Sequence, residues 1–417
     1  MKILAGTALL CAVAVLALAE KVRFDGHKVL KVVPRTARNV HDIAKMENEF
    51  KLDFWHFPKY TNDSFHVKVG PHTLEPFLSK LRHMEADFSV WIDDVQSLVD
   101  LEDRQRRNRR AVQIADPLNE YLKLDQITEY VENKALGHTN MHLSYLPNKT
   151  YENRDIQVVK IVSQNGEASK SIFIDCGIHA REWISPAFCL FAIDKLLSGE
   201  SSDLLDKYNW HIVPVLNPDG YHHTHTTDRL WRKNRALNRN TNNCRGVDLN
   251  RNFGYGYNPA IGGSTSICSD IYTGTKAFSE QESDGLQRYI LDNQDQNFVS
   301  YLTVHSYGQM WLHPWGYTSV LPDDVEDLTI AGNIAKTALG SVNGTVYEVG
   351  SSTQVLYSAA GGSDDWAKGG ANIKFSYTLE LRDTGRYGFV LPVSYIERTV
   401  IETWAGVRAM ADHIFGF

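Results

Sequence analysis

Hydrophobic positions between residues 20 and 110 fall into short alternating runs, HKVLKVVP, FHVKVG and FSVWIDD. Between them lie NVHDIAKMENEF and TLEPFLSKLRHM, with apolar residues at helical spacing. Period two predicts strands with one buried face, and spacings of three and four predict amphipathic helices. Together they predict a small α/β sandwich followed by a charged connecting helix. Beyond that point, apolar β-rich runs (IQVVKIV, SIFIDC, WHIVPVL, FVSYLTV, KFSYTLEL) alternate with longer helical stretches. The latter are ISPAFCLFAIDKLLS, SEQESDGLQRYILDNQ, DLTIAGNIAKTALGS and YIERTVIETWAGVRAMADHI. This alternation predicts one α/β domain: a mixed, mostly parallel twisted sheet with helices on both faces. Ser279 and Glu282 have the spacing of a capping box at the start of one helix.

The first residues break this rhythm. MKILAGTALLCAVAVLALAE carries one lysine, a short apolar run and Ala17-Leu18-Ala19, which predicts a secretory leader cleaved after Ala19. No later stretch is long and apolar enough to cross a membrane, so a secreted, extracellular, monomeric protein is expected. Cys11 leaves with the leader, and Cys176, Cys189, Cys244 and Cys268 remain. In an oxidising compartment four cysteines allow three connectivities, of which proximity favours Cys176–Cys189 and Cys244–Cys268. A net charge of −7 gives no reason to expect nucleic acid as a partner. Five arginines fall within seven residues, at Arg104, Arg106, Arg107, Arg109 and Arg110. Such a block is a solvated linker or helix end, or a site for a trypsin-like protease; in a secreted chain the second reading is favoured. It divides the chain into a leader (1–19), an amino-terminal segment (20–110) and a body (111–417).

Ligands of open α/β sheets bind beyond the carboxyl ends of the strands. After SIFID the chain reads Cys-Gly-Ile-His179-Ala-Arg181-Glu182; after YLTV it reads His305-Ser-Tyr307; after FSYTL it reads Glu380-Leu-Arg382-Asp383. The His-x-x-Glu spacing itself is weak evidence, since about two such matches are expected by chance among 16 histidines. His72 with Glu75 and His225 with Asp228 share the spacing but not the placement. A His2Glu set of His179, Glu182 and His305 suits a catalytic zinc ion. Glu380 is then a carboxylate placed to take a proton from water. Asp248, in GVDLNRNF, is the candidate acceptor for the second nitrogen of His179.

The segments HAREW, WRKNR, DLNRNF, TVHSYGQ, YSAAGGSDDW and TLELRDTGRYGF, in that order, resemble the zinc metallocarboxypeptidases of the A/B family. The amino-terminal segment resembles that family's activation domain. The resemblance implies zinc on His179, Glu182 and His305, with Glu380 as general base. It implies that Arg235, the last residue of WRKNR, polarises the scissile carbonyl. It also implies that Asn250 and Arg251 clamp the terminal carboxylate, that Arg181 and Tyr307 line neighbouring subsites, and that Tyr357 closes over the substrate.

Asp364 in GGSDDW matches the family position at the base of the side-chain pocket, where an aspartate accompanies removal of Lys or Arg. A buried carboxylate is costly unless a cation pairs with it, so a basic side chain fits. Ser351, Ser352, Gly316 and Gly362 leave room for it, with Asp365 left to a structural role. The cysteines flanking HAREW also resemble the basic-specific branch, in which they pair. The expected protein is a zymogen whose partners are an activating trypsin-like protease and peptides with a free C-terminus. Two alternatives remain open: the same chemistry with apolar or aromatic termini, and an inactive peptide-binding relative.

Overall fold

The computed structural model describes residues 21–57, 61–109, 116–163, 168–238 and 244–417, with residues 107–109 as backbone only. The expected leader lies outside the described residues, and so does Arg110. The arginine block is therefore described with its side chains only at Arg104 and Arg106.

The amino-terminal unit is a four-stranded antiparallel sheet of order β2-β3-β1-β4. Its strands are β1 (Lys28–Val33), β2 (Asp53–His56), β3 (Phe65–Val69) and β4 (Asp87–Ile92). Alternation along β1 sends Leu30 and Val32 to one face, where they pack with Ile43, Phe77 and Leu81 of the helices Ala37–Lys45 and Pro71–His83. The opposite face carries Val29 and Trp55. It does not face water: these residues pack with Leu230, Tyr307 and Phe389 of the body. A helix over Val95–Arg109 then leads away from the unit.

The body is built on eight strands: β5 (Met141–Tyr145), β6 (Gln157–Ile161), β7 (Lys170–Cys176), β8 (Tyr208–Val213), β9 (Phe298–Ser306), β10 (Met310–His313), β11 (Glu348–Ser351) and β12 (Phe375–Leu381). Their order is β11-β10-β12-β9-β7-β8-β6-β5, and the central run β12-β9-β7-β8 is parallel throughout. One face (Ile172, Ile174, Leu302, Val304, Tyr377, Leu379) packs on helices Ile184–Leu197, Val325–Asn343 and Ile396–Ile414. The other (Phe173, Tyr301) packs on Leu286 and Ile290 of helix Gln281–Asp292 and on Trp366. The mixed, mostly parallel sheet with helices on both faces matches the expectation, as does the preceding sandwich.

Three details differ from the sequence reading. The strand in WHIVPVL stops at Val213, because Pro214 has no N–H for the ladder. The short strands β2, β5, β10 and β11 are not among the runs the sequence marked as strands. The Ser279–Glu282 capping box does not form: Glu280 is the N-cap, Ser279 Oγ donates to Glu280 at 2.7 Å, and Glu282 turns inward to Asn234.

Candidate active site

The register of the parallel strands lays out the site. Asp175 on β7 sits opposite Thr303 on β9, which sits opposite Thr378 on β12, and His305 sits opposite Glu380. Period two places all of them on one face, at the carboxyl ends of three strands. Beyond Cys176, Gly177 takes a positive φ of 67° and its N–H donates to Ser185 Oγ at 2.9 Å. This folds HARE into a turn before the helix Ile184–Leu197. The disulfide Cys176–Cys189 ties the strand end to that helix, and Cys244–Cys268 forms the second bridge.

His179, Glu182 and His305 converge, with potential ligand atoms all within 4.8 Å of one another and all three side chains buried. His179 Nδ1 lies 2.9 Å from Glu182 Oε1, while His305 Nδ1 lies 3.1 Å from both Glu182 Oε2 and His179 Nδ1. Tetrahedral zinc with bonds of about 2.0–2.1 Å needs ligand atoms roughly 3.3 Å apart, so the spacing fits. The remaining ring nitrogens fit as well. His179 Nε2 is 3.0 Å from Asp248 Oδ1, the acceptor expected from the sequence, and His305 Nε2 is 3.1 Å from Thr303 Oγ1. Burial, aided by the Arg232 charge, keeps the pKa of His179 below its usual value. Against the effect of burial, the charge and hydrogen bond of Glu182 push His305 up to about 8. A proton and a cation therefore compete for the same nitrogen.

Glu380 lies beside this centre, half-buried, and burial pushes its pKa up to about 8 although the His305 charge opposes the rise. The centre opens into a cavity of about 70 Å³ lined by Arg232, Asn250, Arg251, Tyr307, Tyr357 and Asp364 among others. Arg251 Nη1 donates to Asn250 O at 2.9 Å and Nη2 reaches the Tyr357 hydroxyl at 3.4 Å. Asn250 Oδ1 accepts from Ser363 N at 2.9 Å. The two aspartates of GGSDDW separate. Asp365 accepts from the Gly316 and Tyr317 N–H groups at 2.9–3.0 Å, whereas Asp364 lines the cavity with Gly316, Ser352, Gly362 and Thr378. Ser351 is buried behind them and does not line it. A Cβ on Gly362 would come within 2.7 Å of Asp364 Oδ1, so only glycine leaves that carboxylate clear.

Arg235 departs from the expectation, and Arg181 is engaged by the amino-terminal unit. The Arg235 guanidinium stacks 4.5 Å from the Trp231 ring, lies 3.8 Å from Glu152, and does not reach the cavity. Arg232, three residues earlier in WRKNR, lines it instead. Its Nε and Nη2 donate to Asp248 Oδ2 at 3.1 and 3.0 Å, and its Nη1 lies 3.7 Å from Glu182. Both arginines are basic and near each other in sequence; only the fold shows which one the buried Asp248 captures. The Arg181 side chain is buried outside the cavity, donating to Asp53 Oδ1 at 2.9 Å with its guanidinium 4.0 Å from the Phe389 ring.

That Asp53 contact belongs to a set the sequence did not reveal. Trp55 and His56 of β2 line the cavity itself, and His66 of β3 hydrogen-bonds the Tyr307 hydroxyl at 3.0 Å. From the connecting helix, Glu102 pairs with buried Arg229 at 2.6 and 2.9 Å. The amino-terminal unit thus closes the cleft, which is smaller than the ~300–1,000 Å³ of an ordinary ligand site. The decoys sit elsewhere. His72 and Glu75 are exposed on the first turns of their helix, and His225 stacks on Trp183 with ring centroids 3.9 Å apart.

Comparison with known proteins agrees with this geometry. A family model described as zinc carboxypeptidase matches residues 127–406, and one described as carboxypeptidase activation peptide matches residues 30–102. The chain belongs to the zinc carboxypeptidase family. Carboxypeptidase B of Astacus astacus is 43% identical over 296 residues, covering 70% of this chain and 97% of that protein. Carboxypeptidase A1 of Bos taurus is 36% identical over 403 residues, covering 94% and 95%. Among solved structures, thrombin activatable fibrinolysis inhibitor superposes with a TM-score of 0.85 at 33% identity, covering 94% of this carboxypeptidase and all of that chain. The resident metal is zinc, and the unit that closes the cleft is the activation peptide.

Proposed function

We propose that this carboxypeptidase is secreted as a zymogen and, once its activation peptide is cut away between Arg104 and Arg110, removes C-terminal Lys or Arg from peptides. The observation that carries the basic preference is Asp364. It is buried in the wall of the cavity, and burial raises its pKa. Among the described residues no Lys or Arg pairs with it, so a substrate cation entering the pocket supplies the missing counter-charge.

In this reading the cavity sorts a peptide end by chemistry. Arg251 and Asn250 grip the terminal carboxylate through charge-assisted hydrogen bonds, and Tyr357, already against Arg251, closes over it. His179, Glu182 and His305 hold zinc, which polarises a carbonyl and makes water nucleophilic near neutral pH. Arg232, fixed on Asp248, presents its guanidinium to the carbonyl oxygen as negative charge develops there. Glu380 takes a proton from the attacking water and returns it to the departing amine. Arg181, and Tyr307 at the cleft edge, receive residues further from the cut once Asp53 and His66 have left them.

The test is to treat the zymogen with trypsin and supply peptides ending in Arg, Lys, Phe or Glu. Faster release of Arg and Lys is expected. Likeness to carboxypeptidases of both A and B type keeps one competing reading in view, and faster release of Phe would favour it. No release of any residue would sink the enzymatic reading.

A further inference from the structure

We propose that Thr303 and Asp175 form a relay that positions His305, fixing its tautomer and tightening its hold on zinc. The proposal rests on His305 being a ligand and adds two residues that do not touch the metal. The register pairs Asp175 directly with Thr303, and period two puts Thr303 on the same strand face as His305. Thr303 Oγ1 lies 2.9 Å from Asp175 Oδ1 and 3.1 Å from His305 Nε2, and all three side chains are buried.

A threonine hydroxyl has a single proton to donate. An ionised carboxylate only accepts, and burial raises Asp175 only to about 6, which leaves it ionised at neutral pH. The hydroxyl therefore donates to Asp175 and turns a lone pair toward Nε2, which must then carry the imidazole proton. That leaves the Nδ1 lone pair free, and Nδ1 is the nitrogen that faces Glu182 and His179. The opposite tautomer would need Asn250 Nδ2 to donate to Nε2. At 3.5 Å that contact is longer and weaker than the 3.1 Å contact of Nε2 with Thr303 Oγ1. Each ligand histidine is thus backed by a carboxylate: His179 directly by Asp248, His305 by Asp175 through one hydroxyl. Asp248 divides its charge with Arg232, whereas among the described residues no Lys or Arg pairs with Asp175.

The full chain is loaded with zinc and its affinity read by competition with a chromophoric chelator. Thr303→Val removes the hydroxyl while keeping the shape, and weaker zinc binding by about 10- to 100-fold is expected. Thr303→Ser restores the hydroxyl and should bind zinc like the wild type, which a purely packing role for the methyl group does not predict. A folded Thr303→Val protein with wild-type affinity overturns the relay. If that variant does not fold, Asp175→Asn carries the test: weakened zinc binding is expected, and unchanged affinity overturns the proposal. His305→Ala separates the two levels. Zinc retained there sinks the ligand assignment, while zinc lost there but kept in Thr303→Val sinks the relay alone.

Discussion

Replacing Asp53 by Asn tests how the activation peptide is held. In the docked state Asp53 is buried between Arg181 Nη1 at 2.9 Å and Lys68 Nζ at 3.0 Å, and it also accepts from Trp55 Nε1 at 3.1 Å. Against the desolvation that burial imposes, Arg181 and Lys68 hold its carboxyl well below the usual range. Asn preserves the size and one acceptor but removes the charge. Arg181 then stays buried with only neutral acceptors, the amide oxygen at position 53 and Leu230 O at 3.3 Å, and with its Nε unpaired. Breaking a buried pair by removing one member costs about 3–5 kcal/mol. That cost falls on the docked state, because Arg181 regains water when the activation peptide lifts away. The undocked population should therefore rise by roughly two to three and a half orders of magnitude. The assay is hydrolysis of a small C-terminal Arg substrate by intact, uncleaved protein, with trypsin cleavage in the arginine block followed in parallel. Both rates should rise well above wild type. A mutant zymogen as silent and as slowly cleaved as the wild type would refute the pair as a clamp and leave packing of Trp55 on Phe389 and Tyr307 as the dominant contact.

Other outcomes follow from the same structure. Glu380→Gln keeps the side-chain shape but not the base, so zinc stays bound while kcat falls by about 10²- to 10⁴-fold; loss of zinc in that variant would mean a ligand has been misassigned. Asp364→Ile should shift the Arg-to-Phe preference toward Phe by about 100-fold or more, and an unchanged ratio would remove Asp364 from the pocket's chemistry. His66 gives a pH dependence. Burial first, then the His56 and Lys31 charges, lower its pKa to about 3, and its ring stacks against Trp91 and Tyr307. Below pH ~6.5 the unfolded chain binds a proton that the folded one refuses, so stability is full above that value and lost as pH falls toward 3. Between pH 6.5 and 4.5 the loss is on the order of 3 kcal/mol. Melting temperature against pH, compared with His66→Gln, reads it; an identical pH slope in the mutant counts against His66 as the source.

Much of the site was legible because it is written in short local runs. An apolar strand followed by polar residues, as in SIFIDCGIHARE or YLTVHSY, marks a strand end whatever the rest of the chain does. That placement just beyond strand ends is why His179, Glu182, His305 and Glu380 could be named together. Asp248 was named because a zinc-ligating histidine needs an acceptor for its second nitrogen, and the structure places it 3.0 Å from His179 Nε2.

What the chain could not state locally was decided by pairing across long separations. WRKNR offers two arginines of equal chemistry, and Arg232 rather than Arg235 enters the cleft because Asp248, sixteen residues away, takes its guanidinium. Thr303 and Asp175 look like ordinary strand residues until the β7–β9 register sets them opposite each other. The clamp of Asp53 on Arg181 and Glu102 on Arg229 joins residues 128 and 127 positions apart. No periodicity encodes such contacts, since each half of a buried ion pair reads on its own as an ordinary surface charge. Local pattern determines which elements form and which face is polar; only the packed structure determines which polar groups meet once water has been excluded.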